Sequence, residues 1–286
     1  ASNVYRKLNY NGHILENSTL GSVESVETIE LNDIKDYYKA NFSADLAKVS
    51  IAGDISRSEA VKAFKSIVSH WDLSQVSFPE YTMPKRNASA KVYFVDVPNA
   101  KQSEIRIGYL GLSRTDPEYY PAEVMNTKLG GNASGNLFQV LREEKGYTYG
   151  AYSFFNGYKY PGTFTAYAAV QSNATEESLL TFKELLTSYR NTISIDDLQF
   201  TKNVTLKSNA RRFETLGALR GMISDIALYE LPFDYIEEEE EVVRSMTQED
   251  HNKLAEKYIK PNEMIYLIVG DAATQLDGAR SLGFGE

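Results

Sequence analysis

Met264-Ile265-Tyr266-Leu267-Ile268-Val269-Gly270-Asp271 is an apolar run closed by a glycine and an acid. A run this short and β-branched, with no polar residue alternating through it, predicts a strand buried on both faces. Just upstream, Thr247 predicts the cap of a helix through about Lys257, and Pro261-Asn262 the turn from helix to strand. The same order occurs once before. With Gly53-Asp54 laid on Gly270-Asp271, an offset of 217 residues, Glu24, Val26, Asp33 and Ile51 fall on Glu241, Val243, Asp250 and Ile268 without a gap. Residues 33–41 again predict a helix and 47–52 again a buried strand, so the chain reads as two copies of one supersecondary plan.

Working outward, Ser56 and Glu59 form a capping-box pattern at the head of a helix reaching Val68, with Ala60, Phe64 and Ile67 on its inner face. Residues 77–87 carry Pro79 and Pro84 between polar ends and read as a linker. The expected organisation is therefore 1–87 as the C-terminal part of a first α+β domain, truncated at its N-terminus, and 88–286 as a complete second domain of the same plan. By the offset, the first domain is expected to begin about 130 residues ahead of Ala1. Within 88–286, strands are predicted over 92–97, 148–154 and 163–171 and through Ile105, Ile107 and Tyr109. Helices are predicted over 117–129, 137–142, 195–208 and 216–229, and through Leu179, Phe182, Leu186 and Tyr189. The sum is an α+β fold, an antiparallel sheet with helices packed on one face.

Composition bounds the function. The 286 residues are 42% hydrophobic, enough for a sizeable core. No stretch approaches the roughly 20 apolar residues of a membrane-spanning helix, so no membrane span is expected. Lys and Arg number 30 against 39 Asp and Glu; the net charge of −9 repels phosphate backbones and argues against nucleic acid as a partner. The absence of cysteine removes disulfides, thiolate nucleophiles and cysteine-bound zinc. Twenty tyrosines lean toward a periplasmic or cell-envelope protein of a bacterium.

The three histidines, His13, His70 and His251, stand too far apart for a helical pair of ligands, and neither H-x-x-E-H nor H-E-x-x-H occurs. Those motifs work because ligands four residues apart share one helical face beside a carboxylate that activates bound water. His13-Ile14-Leu15-Glu16-Asn17 has the inverted order without its second histidine, and the flanking Asn11-Gly12 and Ser18-Thr19-Leu20-Gly21 predict a loop. His70 is expected to meet free carbonyls at a helix end, and His251 to lie on the surface of its helix. Glu237 to Glu241 is expected as a solvated helix terminus. Gly130 to Gly135 follows a helix and lacks the Lys of a phosphate loop, and no Gly-x-Ser-x-Gly supports a serine hydrolase.

One constellation remains. Leu141-Arg142-Glu143-Glu144-Lys145-Gly146-Tyr147-Thr148-Tyr149 runs from a helix end through a glycine turn into a strand, with Arg142 and Tyr149 on either side of the reversal. A guanidinium can hold a peptide carbonyl and a phenol can donate to a developing oxyanion. A plainer reading stays open beside it, in which the Arg caps the helix and the Tyr packs.

Here the sequence resembles the insulinase, pitrilysin and mitochondrial processing peptidase family of inverzincin zinc metallopeptidases. Leu129-Gly130-Gly131, Leu137-Phe138 and the segment from Leu141 to Tyr149 are similar to the stretch by which that family's non-catalytic domain is recognised. Leu20-Gly21-Ser22-Val23-Glu24-Ser25-Val26, Phe213-Glu214-Thr215, Leu231-Pro232, Asp234-Tyr235 and both Gly-Asp strand ends extend the likeness over nearly the whole chain. It implies a repeated-domain metallopeptidase architecture, with α+β domains paired into halves that close around a peptide. One half carries zinc; the other contributes an Arg and a Tyr at the separation of Arg142 and Tyr149.

The resemblance implies that Arg142 grips a substrate carbonyl and Tyr149 hydrogen-bonds the tetrahedral intermediate. The chain would then be the non-catalytic, substrate-binding half of a zinc metalloendopeptidase acting on peptides or unfolded proteins. It would hold no metal and no catalytic residue of its own and be inactive alone. Zinc is expected in a partner half, on the same polypeptide or a separate subunit. The alternative is a structural subunit like the family's respiratory-complex core proteins. In one departure, Gly135-Asn136 stands where the family often has Ser-Arg, which puts that arginine's contact in doubt.

Overall fold

The computed structural model describes residues 1–71 and 73–284. Among these, five strands form one sheet: β1 (Lys91–Asp96), β2 (Gln102–Leu110), β3 (Thr148–Asn156), β4 (Thr163–Gln171) and β5 (Ile265–Gly270), in the spatial order β1-β5-β2-β4-β3. The most apolar strand thus lies between two others. Tyr266 and Ile268 face one side, Ile265 and Leu267 the other, and none is more than 2% exposed. β5 pairs antiparallel with β2, as β4 does with β2 and β3, whereas the β1–β5 pair is parallel.

The chain divides into two units. The first contains Ala1–Glu16, Met83–Lys207 and Asp234–Glu286; the second contains Asn17–Thr82 and Ser208–Phe233. In the first, one face of the sheet carries the main core. Ile105, Ile107, Phe164, Ala166, Ala168, Tyr266 and Ile268 pack there with Leu179, Phe182 and Leu186 of the helix Thr175–Ser188. The other face is covered by the helix Ser2–Asn9, whose Tyr5 lies with Ile265 and Leu267, flanked by Val4 and Leu8. The predicted layer of helices on one face therefore has one helical counterpart on the opposite face. Tyr5 OH donates to Phe164 O at 3.0 Å, so this helix is tied to β4 as well.

The second unit is helical, with Val23–Glu27, Leu31–Asn41, Arg57–His70 and Leu216–Tyr229. Ser22 and Ser56 supply capping boxes at two of the helix starts, the second with Glu59 as predicted. Ala60 and Phe64 are half-buried, while Ile67 is exposed. The Lys48 ammonium donates to the Ala227 carbonyl, joining two segments of this unit. The strand expected at 47–52 does not form. In the second copy the corresponding strand is gripped by β1 and β2; residues 47–52 have no ladder partner among the described residues, and Val49 is left 57% exposed. Strand propensity without a neighbour does not make a strand.

His251 departs from expectation in the other direction, being fully buried. Tyr189 OH donates to Met125 O at 2.6 Å, which leaves its oxygen to accept from His251 Nε2 at 3.1 Å. The rings meet edge to face with centroids 5.5 Å apart. A residue that reads as polar in a helical pattern is here a neutral, hydrogen-bonded part of the core. Burial depresses its pKa to about 4.

Above pH about 6.5 both folded and unfolded chains carry a neutral imidazole, and the full stability is present. As pH falls from there toward 4, the unfolded chain takes up a proton that the folded one refuses, and stability is lost by up to ~3 kcal/mol. The urea midpoint is expected to be steady near neutrality and to fall across that window, and His251→Gln, which cannot titrate, should flatten the fall. Identical pH profiles for the two proteins would remove His251 as the cause.

Candidate functional site

Two wide helical turns position the site. The helix Tyr119–Asn126 continues into a π turn, Thr127–Gly131, lying against β3. Gly130 permits the approach: a Cβ there would sit 2.6 Å from both the amide nitrogen and the Oγ of Ser153. Asn126 fixes the contact, its Nδ2 donating to Ser153 O at 2.7 Å while its Oδ1 accepts from Ser153 Oγ at 2.5 Å. The glycine-rich loop beyond closes on itself, with Ser134 N donating to Asn132 Oδ1 and Gly135 N to Asn132 O. The short helix Asn136–Phe138 then leads into a second π turn, Gln139–Glu144, anchored by the buried Leu137 and Leu141 and carrying Arg142.

Gly146, at φ +68°, reverses the chain after that turn in the left-handed region that glycine occupies without strain. Tyr147 N closes back onto Leu141 O at 3.0 Å, and β3 begins at once. Its first residues are irregular. Thr148 pairs with Val170 and Ala151 with Ala168, so β3 advances three residues while β4 advances two.

This bulge decides where Tyr149 points. Ala151, Ser153 and Phe155 are buried, and unbroken alternation would bury Tyr149 with them. The extra residue turns Thr148 inward and leaves Tyr149 88% exposed. Thr148 Oγ1 stabilises the irregularity, donating to Ala169 O at 2.6 Å and accepting from Gly150 N at 3.2 Å.

The structure brings Arg142 and Tyr149 together, with the guanidinium carbon 5.7 Å from the Tyr149 ring centroid. Among the described residues neither side chain makes a hydrogen bond or an ion pair, so both polar ends are available. The pair can bind and polarise a carbonyl. It offers no group to generate a nucleophile.

The other sequence candidates do not join it. His13 is buried just ahead of a short 3₁₀ turn, Ile14–Glu16, and its Nδ1 accepts from Leu15 N at 3.1 Å. His70 Nδ1 lies 2.7 Å from Ser66 O at its helix end. Glu239, expected in a solvated run, is 7% exposed and paired with Arg114 at 3.1 Å. Among the described residues no three or more His, Cys, Asp and Glu converge to hold a metal, and the donor set present does not fit zinc. The bulge itself was missed by sequence reasoning; its one signal was Gly150, an isolated glycine in a strand pattern.

A sequence model of the peptidase M16 inactive domain matches residues 28–204. The chain is 28% identical over 200 residues to a Bacillus subtilis (strain 168) protein named "Uncharacterized zinc protease YmxG", the match covering 68% of this chain and 47% of that protein. It therefore spans about half the length of that relative. Among solved structures it is similar to the peptidase M16 inactive domain from Pseudomonas fluorescens, with a TM-score of 0.85 at 23% identity over 94% of this chain and 65% of the other. It is also similar to a chain of complex III2 from Candida albicans, bound to Inz-5, with a TM-score of 0.79 at 15% identity over 99% and 69%. At such identities the structural likenesses establish the fold alone.

The bulge gives a direct test of local design. Thr148→Val deletes the bridging hydroxyl and is expected to lower stability by about 1–2 kcal/mol in urea unfolding, with Thr148→Ser restoring most of it. A valine variant as stable as the parent would show that the bulge is held by something else.

Proposed function

Because this chain belongs to the peptidase M16 inactive domain family, we propose that it is the non-catalytic, substrate-binding half of a zinc metalloendopeptidase. In this reading the substrate is an extended peptide or unfolded protein, and zinc resides in a partner half that supplies the hydrolytic chemistry. The contribution of this chain is to bind and orient. The observation that carries the reading is the convergence of Arg142 with the bulge-mounted Tyr149, both unpaired at their polar ends.

Arg142 presents a rigid fork of N–H donors to a backbone carbonyl, a contact that fixes the register of the peptide. Tyr149 places a phenol O–H where the carbonyl oxygen gains charge, and a donor that strengthens as charge develops lowers the barrier more than it tightens binding. The division into 1–87 and 88–286 belongs to the same proposal, as two copies of the family's domain plan. A second reading, a structural subunit, draws support from the likeness to a chain of complex III2. In that role the two side chains have no chemical task.

The test is cleavage of an unfolded peptide by the full-length protein together with its zinc-bearing half. Tyr149→Phe is expected to lower kcat by roughly 10² to 10³, and Arg142→Ala to lower kcat/KM by a comparable factor, with assembly and circular dichroism unchanged. This chain alone is expected to show no cleavage with added zinc. Full turnover by both variants would leave the structural reading standing.

A further inference from the structure

The two edges of the sheet are finished differently. At β3 the carbonyls of Ser153 and Phe155 accept from Asn126 Nδ2 at 2.7 Å and Tyr119 OH at 3.0 Å, and Gly157 N donates to Tyr119 OH at 3.1 Å. Side chains of the helix Tyr119–Asn126 thereby close that edge. At β1 the inward groups are spoken for, since Lys91 N donates to Met264 O and Val97 N to Gly270 O. In a parallel ladder with that phase, Val92, Phe94 and Asp96 direct their main-chain groups away from β5. Among the described residues the outward N–H and C=O of Val92 and Phe94 have no partner.

Beside the start of this open edge lies a cleft of about 520 Å³, whose lining includes Lys7, Asn9, Lys85, Asn87, Lys91 and Tyr93. Among the described residues no carboxylate lines it, in a chain of net charge −9. None of the three lysines is ion-paired among the described residues. Lys91 and Tyr93 share one face of β1, the face on which Leu8 of the first helix packs beside Tyr93. Every second side chain of a strand added to β1 would be directed to that same face, toward the lysines.

Lysines on a sheet edge also repel unwanted pairing. A concentrated positive cleft at one end of unpaired main chain rejects neutral and basic strands and admits an acidic one. We propose that the outer edge of β1 is a strand-addition site for an extended acidic peptide, whose main chain pairs with Val92 and Phe94 and whose carboxylates enter the cleft of Lys7, Lys85 and Lys91. The site lies at the opposite edge of the sheet from Arg142 and Tyr149 and does not depend on their role.

The probe is a fluorescein-labelled peptide of alternating Glu and Val, titrated by anisotropy with the full chain at low ionic strength. Saturable binding is expected, weakened about tenfold or more by the combined Lys7→Glu, Lys85→Glu and Lys91→Glu substitutions and by ionic strength raised to ~0.3 M. Methylation of alternate peptide amides should abolish it, and a Lys–Val peptide should bind the charge-reversed variant in place of the parent chain. Equal binding of the methylated peptide would overturn strand addition. Unchanged affinity in the charge-reversed variant, shown folded by its thermal unfolding, would overturn the role of the lysines. Absence of saturable binding to the parent chain would overturn both.

Discussion

Leu267 and Ile268 are consecutive in β5, point to opposite faces and are both fully buried. That one requirement, a strand that must be dry on both sides, organises the first unit. Burying a side chain of this size contributes roughly 2 kcal/mol, and neither face can be surrendered. The main layer of helices covers Ile268 and the helix Ser2–Asn9 covers Leu267. β1 and β2 supply the main-chain partners, since unpaired amides in such a position would cost more than the side chains gain. With β2 fixed beside β5, β4 and β3 follow outward, and β3 becomes the edge on which Tyr149 is displayed.

Tyrosine meets several of the main-chain carbonyls of this interior. Tyr5, Tyr109, Tyr119, Tyr189 and Tyr266 each donate a hydroxyl proton to a main-chain carbonyl, four of them on residues remote in sequence. A phenol combines a large apolar face with one directional donor, so it can fill a core and still satisfy a buried carbonyl. Burial raises the pKa of Tyr119 to about 12 and that of Tyr189 further, keeping these hydroxyls protonated donors at any ordinary pH. The tyrosine richness read at first as a hint of compartment thus has a structural use. The Arg114–Glu239 pair, nearly withdrawn from solvent, is the charged counterpart.

The candidate site was half legible. The spacing of Arg142 and Tyr149, the glycine turn between them and the helix-to-strand transition are properties of consecutive residues, and all three could be read directly. Which way Tyr149 faces could not be read, because it depends on β3 outrunning β4 by one residue, a relation between strands remote in sequence. The same limit explains His251 and Glu239. Each reads as a solvent-facing residue of its own helix, and each is buried because Tyr189 or Arg114 arrives from elsewhere in the chain to satisfy it.

The sequence by itself determined the order of the helices, the buried strand at residues 264–269 and the placing of Arg142 and Tyr149 on either side of a glycine turn, since these follow from residue type and local spacing. Tertiary structure alone decided whether a strand-like run becomes a strand. Residues 264–269 and 47–52 have the same local preference, but β1 and β2 flank only the first. A β-strand is completed by hydrogen bonds to its neighbours, whereas a helix closes its own, and for that reason the helical parts of the repeat were predictable and the fate of residues 47–52 was not.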